Sequence, residues 1–227
     1  MSEEIIVVKH KWMALLFLAL SVSLIVIDGT IINVAIPSIM RGLHFTFTQA
    51  EWITTIYALV FSALLITTGR IADSVGRKKT LIIGIIVFLI GSIMASMSAS
   101  IDSMLTVRFI QGIGGAIVLP TTLSAVNSIF TGKDRIIAFA VYGSVITGMA
   151  AVGLLLGGYL TTYYTWPWVF WINIPIGILI ILGFLFFIPD IYDEKMEGGF
   201  DFAGFVLSTA SLSAIVYGLV EGSNYGW

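Results

Sequence analysis

Three groups of residues in this chain have the types and spacing to do chemistry. The first is Asp28, set in the apolar stretch VIDGTIINVAIP. An unpaired carboxylate in hydrocarbon is costly, so such a group faces a cavity, pairs with a cation or takes up a proton. Desolvation favours the acid form of a carboxyl and a nearby cation favours the ionised form. An acid under both influences can exchange a proton as its access to water alternates. Asp28 therefore reads as a site for a proton or a cationic ligand. The alternative is a packing group hydrogen-bonded to a neighbouring backbone. Thr30 and Asn33 follow within two turns and favour the first reading. Asp28 and Asn33 share a helical face only in part.

The second group opens RFIQGIGGA. Arg108 and Gln111 are spaced to lie on one helical face. Arginine keeps its proton and is a fixed cation that can tune a carboxylate, with Asp28 one candidate partner. The alternative is an arginine close to a helix end that snorkels to the outer surface. The third group is Gly69 to Leu81, GRIADSVGRKKTL, which holds four of the eleven basic residues and one acid, Asp73.

The elements that carry these residues are apolar. The chain of 227 residues is 58% hydrophobic and 11% charged, with a mean hydropathy of +1.04. A soluble domain carries about 25% charged residues, so this composition is that of a membrane protein. Cysteine is absent, which excludes disulfides, thiolate metal sites and cysteine nucleophiles. The opening MSEEIIVVKHKW is too acidic for a signal peptide and the following apolar run is too long, so the first helix is expected to be an uncleaved anchor.

A spanning helix needs roughly 20 apolar residues. Seven candidates occur, at about 13–38, 52–69, 80–99, 104–128, 136–162, 168–188 and 202–220. The fold expected is all-α and polytopic. With the N-terminus inside, the inner segments hold nine lysines and arginines: Lys9, Lys11, Arg70, Arg77, Lys78, Lys79, Lys133, Arg135 and Lys195. The outer segments hold only Arg41. This bias places the N-terminus in the cytoplasm and, after seven crossings, the C-terminus outside. Trp12, Trp52, Trp166, Trp168 and Trp227 lie near helix ends, as interfacial anchors do. The stretch 189–201, with five acids and one lysine, reads as a solvated cytoplasmic linker before the last helix.

The glycines have a structural reading. Gly112, Gly114 and Gly115, and then Gly143, Gly148, Gly153, Gly157 and Gly158, are expected to let another backbone approach closely. Gly153 and Gly157 form GxxxG, the close-packing spacing of membrane helices. No enzymatic pattern is present. The two histidines, His10 and His44, fall outside the spans, and there is no HExxH or nucleophile elbow. The basic residues are explained by orientation, so no nucleic acid is implied.

These motifs, taken in order, resemble the Major Facilitator Superfamily, in particular its fourteen-helix drug:proton antiporter branch. GRIADSVGRKKTL resembles the family's loop between helices two and three, through Gly69, Asp73, Gly76, Arg77, Lys78 and Lys79. The first-helix motif is met by Asp28, Thr30, Asn33, Ala35 and Pro37, and the fourth-helix motif by Arg108, Gln111, Gly112 and Gly114. WVFWINIPIG resembles the opening of helix six, and FDFAGFVLS with YGLVEGSNYGW the extra seventh helix of the branch. Two positions depart from the pattern. Leu154 fills the proline slot of the fifth-helix antiporter motif, which keeps Gly153, Gly157 and Gly158, and Pro167 stands where relatives have arginine.

The resemblance implies a six-helix N-terminal bundle over 1–188, the linker 189–201 and a seventh transmembrane helix over 202–227, with the C-terminal bundle absent. It implies a multi-pass protein of the cell membrane exporting hydrophobic drugs against protons, with no cofactor beyond the proton gradient. Asp28, Arg108, Gln111 and Asn33 would couple proton to substrate. Gly69, Asp73, Gly76, Arg77, Lys78 and Lys79 would form an inner gate, with Asp73 meeting a helix of the second half. Gly153, Gly157 and Gly158 would seal the outer side. The partners implied are the bilayer, a small hydrophobic substrate, protons and a second polypeptide supplying the other half. The alternatives are a half-transporter that needs a second chain and an inactive truncated remnant.

Overall fold

A computed structural model describes residues 10–190 and 202–222. Eight helices form among them: α1 (Lys11–Leu43), α2 (Phe47–Val75), α3 (Arg77–Ser96), α4 (Ile101–Ile129), α5 (Gly132–Tyr163), α6 (Trp168–Trp171), α7 (Asn173–Phe187) and α8 (Phe202–Glu221). Local signals set several of these ends. Thr46 caps α2 by accepting from the Gln49 N–H at 3.3 Å, while the Gln49 side chain accepts from the Thr46 N–H at 3.0 Å. Such reciprocal capping is worth about 1 kcal/mol. Ser100 and Ser103 close the start of α4 in the same way.

The expected inner loop is shorter than the motif that spells it. Gly69 and Asp73 lie within α2, and Arg77, Lys78 and Lys79 form the first turn of α3. Only Gly76 joins the two helices, at φ 108° and ψ 130°, a backbone conformation that side chains with a Cβ rarely adopt. The charged residues continue the helices because Asp73 and Arg77 pair across that joint.

By length and composition, five spans of the described residues can cross a bilayer, with α6 and α7 counted as one. A sixth is counted if the two arms of α2, bent by 49°, form a single span. The expectation of seven crossings is reduced accordingly. α8 occupies the place of the seventh and packs on α2, where Trp52 and Tyr217 bring their rings to 6.1 Å. Its apolar stretch Val206–Ile215 is shorter than a crossing needs. Most of the acidic linker, with Lys195, lies outside the described residues, as do Lys9 and Trp227.

In the bundle, α4 packs between α2 and α3, and α1 packs along α5 and against α7. The interior divides into two apolar clusters. One contains Leu18, Val22, Phe88, Phe130 and Phe184; the other contains Ile31, Ile39, Ile53, Val107 and Phe170. Along α1 the first cluster ends at Ile25 and the second begins at Ile27. Asp28 stands at that boundary.

Candidate functional site: a buried carboxylate network

Four helices converge on Asp28 of α1. α4 brings Arg108 and Gln111, α3 brings Ser92, α7 brings Asn173, and α2 brings Tyr57 and the Ile53 carbonyl. Arg108 Nη1 donates to Asp28 Oδ2 at 2.6 Å, and both side chains are 1% exposed. The same guanidinium donates to Gln111 Oε1 at 2.9 Å and, through Nε, to the Ile53 carbonyl at 3.3 Å. Its Cζ lies 4.3 Å from the centre of the Tyr57 ring. A cation over an aromatic face in a desolvated site adds about 2 kcal/mol of attraction. Snorkelling is thereby excluded: Arg108 turns inward, because a carboxylate, an amide, a carbonyl and a ring meet it there.

The other carboxylate oxygen accepts from two amides. Asn173 Nδ2 lies 3.0 Å and Gln111 Nε2 lies 3.3 Å from Asp28 Oδ1. Both amides also donate to Ser92 Oγ, at 3.1 and 2.8 Å. The pair of amides and the serine hold the carboxylate in one orientation. Removing one partner of a buried ion pair costs about 3–5 kcal/mol, since the other charge is left uncompensated. Every side chain that hydrogen-bonds this carboxylate among the described residues does so as a donor.

Asn33 does not join this network. It is exposed, and its amide donates back to the Gly29 carbonyl at 3.1 Å. Five residues along a helix rotate its side chain far from that of Asp28. Ser92 and Asn173, in contrast, are members that the sequence reading missed. Asn173 lies inside the helix-six motif that was noted, and a polar amide in the apolar run WINIPIG was the available signal. Gly91 was missed too: a Cβ there would lie 2.5 Å from Gln111 Cγ, so its absence makes room for the Gln111 side chain.

The glycine seams are selective. A Cβ at Gly114 would lie 2.6 Å from the Phe88 amide nitrogen, which sets the close approach of α3 and α4. On α5, a Cβ at Gly153 would collide with the Thr30 hydroxyl, and one at Gly157 would lie 3.0 Å from the Ile31 carbonyl. Gly143, Gly148 and Gly158 meet nothing within 4 Å among the described residues. GxxxG spacing puts Gly153 and Gly157 on one face, and Gly158 is turned about 100° away.

At the inner end, Arg77 donates to Asp73 Oδ1 through Nε at 3.1 Å and Nη2 at 3.0 Å. Ser124 of α4 donates to the same oxygen at 3.0 Å, and Arg77 Nη1 also donates to Ser128 of α4. Among the described residues Asp73 is held by Arg77 and Ser124. Lys78 donates to the Leu185 carbonyl at 3.0 Å, tying α3 to the end of α7. Arg70 and Lys79 are exposed, and a Cβ added at Gly69 would lie 3.5 Å from Pro120 Cβ. Lys11 and Asp134 form a further ion pair at 2.5 Å that joins the starts of α1 and α5.

The Major Facilitator Superfamily sequence profile matches residues 18–221. The chain belongs to the Major Facilitator Superfamily. The family is one of transporters rather than enzymes. This facilitator chain is 36% identical over 219 residues to the puromycin resistance protein of Streptomyces alboniger, covering 96% of this chain and 43% of the relative. It is 35% identical over 222 residues to the multidrug efflux pump LfrA of Mycolicibacterium smegmatis, again covering 96% of this chain and 43% of the relative. It thus aligns with the N-terminal part, less than half, of these drug-efflux relatives. Among solved structures, a peptide transporter POT with sulfate bound matches with a TM-score of 0.72 at 15% identity, over 94% of this chain and 47% of that one. That likeness concerns the fold: an all-helical facilitator bundle corresponding to half of such a transporter.

Proposed function

We propose that this chain forms the N-terminal half of a proton-coupled exporter of hydrophobic, often cationic small molecules. The observation that carries the reading is the Asp28–Arg108 pair, buried at the junction of the two apolar clusters. A carboxylate so placed has no reason to be there for stability, since a buried ion pair is often no better than apolar packing. Its use is to exchange its cation: Arg108 when the site is empty, a proton or a cationic substrate when it is loaded. The resistance and efflux activities in the names of the relatives support export of small molecules.

In this reading Asp28 is the coupling carboxylate, Arg108 its electrostatic counterweight, and Gln111 the residue that orients both. The Asp73–Arg77 joint acts as the inner gate, and the Gly153–Gly157 seam lets α5 move against α1 while sealing the outer side. The N-terminus is cytoplasmic. The second half comes from further sequence or from a second polypeptide. The test is a transport assay in inverted membrane vesicles with a C-terminal half supplied. Drug addition should drive proton movement with the wild-type chain and not with Asp28→Asn; unchanged coupling in that variant would sink the role given to Asp28.

A further inference from the structure

The hydrogen bonds around Asp28 contain an asymmetry that points to a second protonation-dependent residue. Three side chains meet the carboxylate, and all three donate: Arg108, Gln111 and Asn173. Such a set fits the ionised group and has no acceptor for an acid O–H. If Asp28 takes up a proton from water, one neighbour has to present an oxygen instead of a nitrogen. Arginine carries no acceptor. Gln111 has one, but its Oε1 is held by Arg108 Nη1 at 2.9 Å. Asn173 is different. It is fully buried, and its Oδ1 has no hydrogen-bond partner among the described residues.

From this we infer that Asn173 reads the protonation state of Asp28 by turning its amide. With Asp28 ionised, Nδ2 donates to the carboxylate and to Ser92 Oγ. With Asp28 protonated on Oδ1, a half-turn about the terminal torsion brings Asn173 Oδ1 into that place. There it accepts from the acid O–H and from the Ser92 hydroxyl. Asparagine is suited to this, because its carbonyl and amino ends are nearly the same size and one accepts where the other donates. The turn breaks no bond at Oδ1, whereas the same turn at Gln111 would release Arg108. Asn173 is a positioning residue: it acts through Asp28 and is the first residue of α7, directly after Ile172. It therefore links the state of the carboxylate on α1 to the start of the sixth span. Facing Asp28 are the charge of Arg108 from α4 and, stacked on it, Tyr57 from α2. No hydrogen bond or ion pair among the described residues brings another titratable group to Asp28 from α3, α5 or α7.

The inference rests on the reading of Asp28 as a proton-exchanging group, and one experiment separates the two. The full chain is placed in lipid nanodiscs with its four asparagines isotope-labelled in the side-chain carbonyl, and infrared difference spectra are taken across a pH titration. The expected result is one labelled amide band that shifts with the same midpoint as a carboxyl band. Both changes vanish in Asp28→Ser, which adds no labelled asparagine, and the amide change vanishes in Asn173→Leu. Ser92→Ala assigns the band independently if Asn173→Leu fails to insert, since it must move the frequency of the amide that touches it. A titrating carboxyl band with a motionless amide band overturns the inference and leaves the Asp28 reading intact. No titrating carboxyl band overturns both.

Discussion

Arg77, the first residue of α3, reaches back across Gly76 and holds Asp73 in the last turn of α2, Nη2 to Oδ1 at 3.0 Å. The same guanidinium and carboxylate each bond a serine of α4, Ser128 and Ser124. One ion pair thereby ties three helices at the inner end, and the single-residue joint between α2 and α3 is stiff as a result.

Arg77→Ala is expected to lower stability by about 1–2 kcal/mol. A plain i,i+4 pair is worth a few tenths of that, but Arg77 is largely buried and leaves Asp73 and Ser128 with fewer partners. Thermal unfolding in mild detergent measures it. A change no larger than that of Lys79→Ala, an exposed cation of the same turn, contradicts the three-helix tie.

Gly76→Ala should also destabilise, by about 1–2 kcal/mol, because φ is 108° at this joint. Gly76→Asn should lose no less, since ψ of 130° lies outside the left-handed helical region that asparagine tolerates. Equal stability of either variant and the wild type would show that the joint relaxes to negative φ.

For the buried pair, Arg108→Leu is expected to lose about 3–5 kcal/mol, since Asp28 stays behind with two amide donors and no cation. Adding Asp28→Leu should recover most of that loss while abolishing any transport coupling. Unfolding of the two single variants and the double variant tests this cycle. Losses that simply add would mean that the two residues act independently.

The α5 seam makes a positional prediction. Gly153→Ala and Gly157→Ala each push a methyl group into α1 and should cost about 1–3 kcal/mol. Gly158→Ala meets open space and should be neutral, or stabilising by up to about 1 kcal/mol through helix propensity. Cross-linking between cysteines introduced on α1 and α5 reads the separation. A Gly158 variant as damaging as Gly153→Ala would place the seam on the wrong face.

Much of the fold was legible because it is local. Apolar runs long enough to span, the glycine at a tight joint and the i,i+4 spacing of Asp73 and Arg77 all follow from residues near one another in the chain. Break signals were read less well. The charged motif 69–81 looked like a loop, yet its charges extend two helices, since their pairing across Gly76 makes helical geometry favourable. Trp168–Trp171 and the helix that follows read as one span and form one, with Ile172 between them keeping helical torsions.

By itself, the sequence determined that the chain is a membrane bundle of the Major Facilitator kind, and that Asp28, Arg108 and Gln111 lie within spans. Only the tertiary structure decided who meets whom. Asp28 finds Arg108 across 80 positions and Asn173 across 145, while Asn33, five residues away, faces outward. The reason is angular. A helix turns about 100° per residue, and which face looks inward depends on how neighbouring helices seat against one another. Small residues such as Gly91, Gly114 and Gly153 fix that seating. Composition and spacing carry the helices; the rotation that makes a site of them is set by packing between residues far apart in the chain.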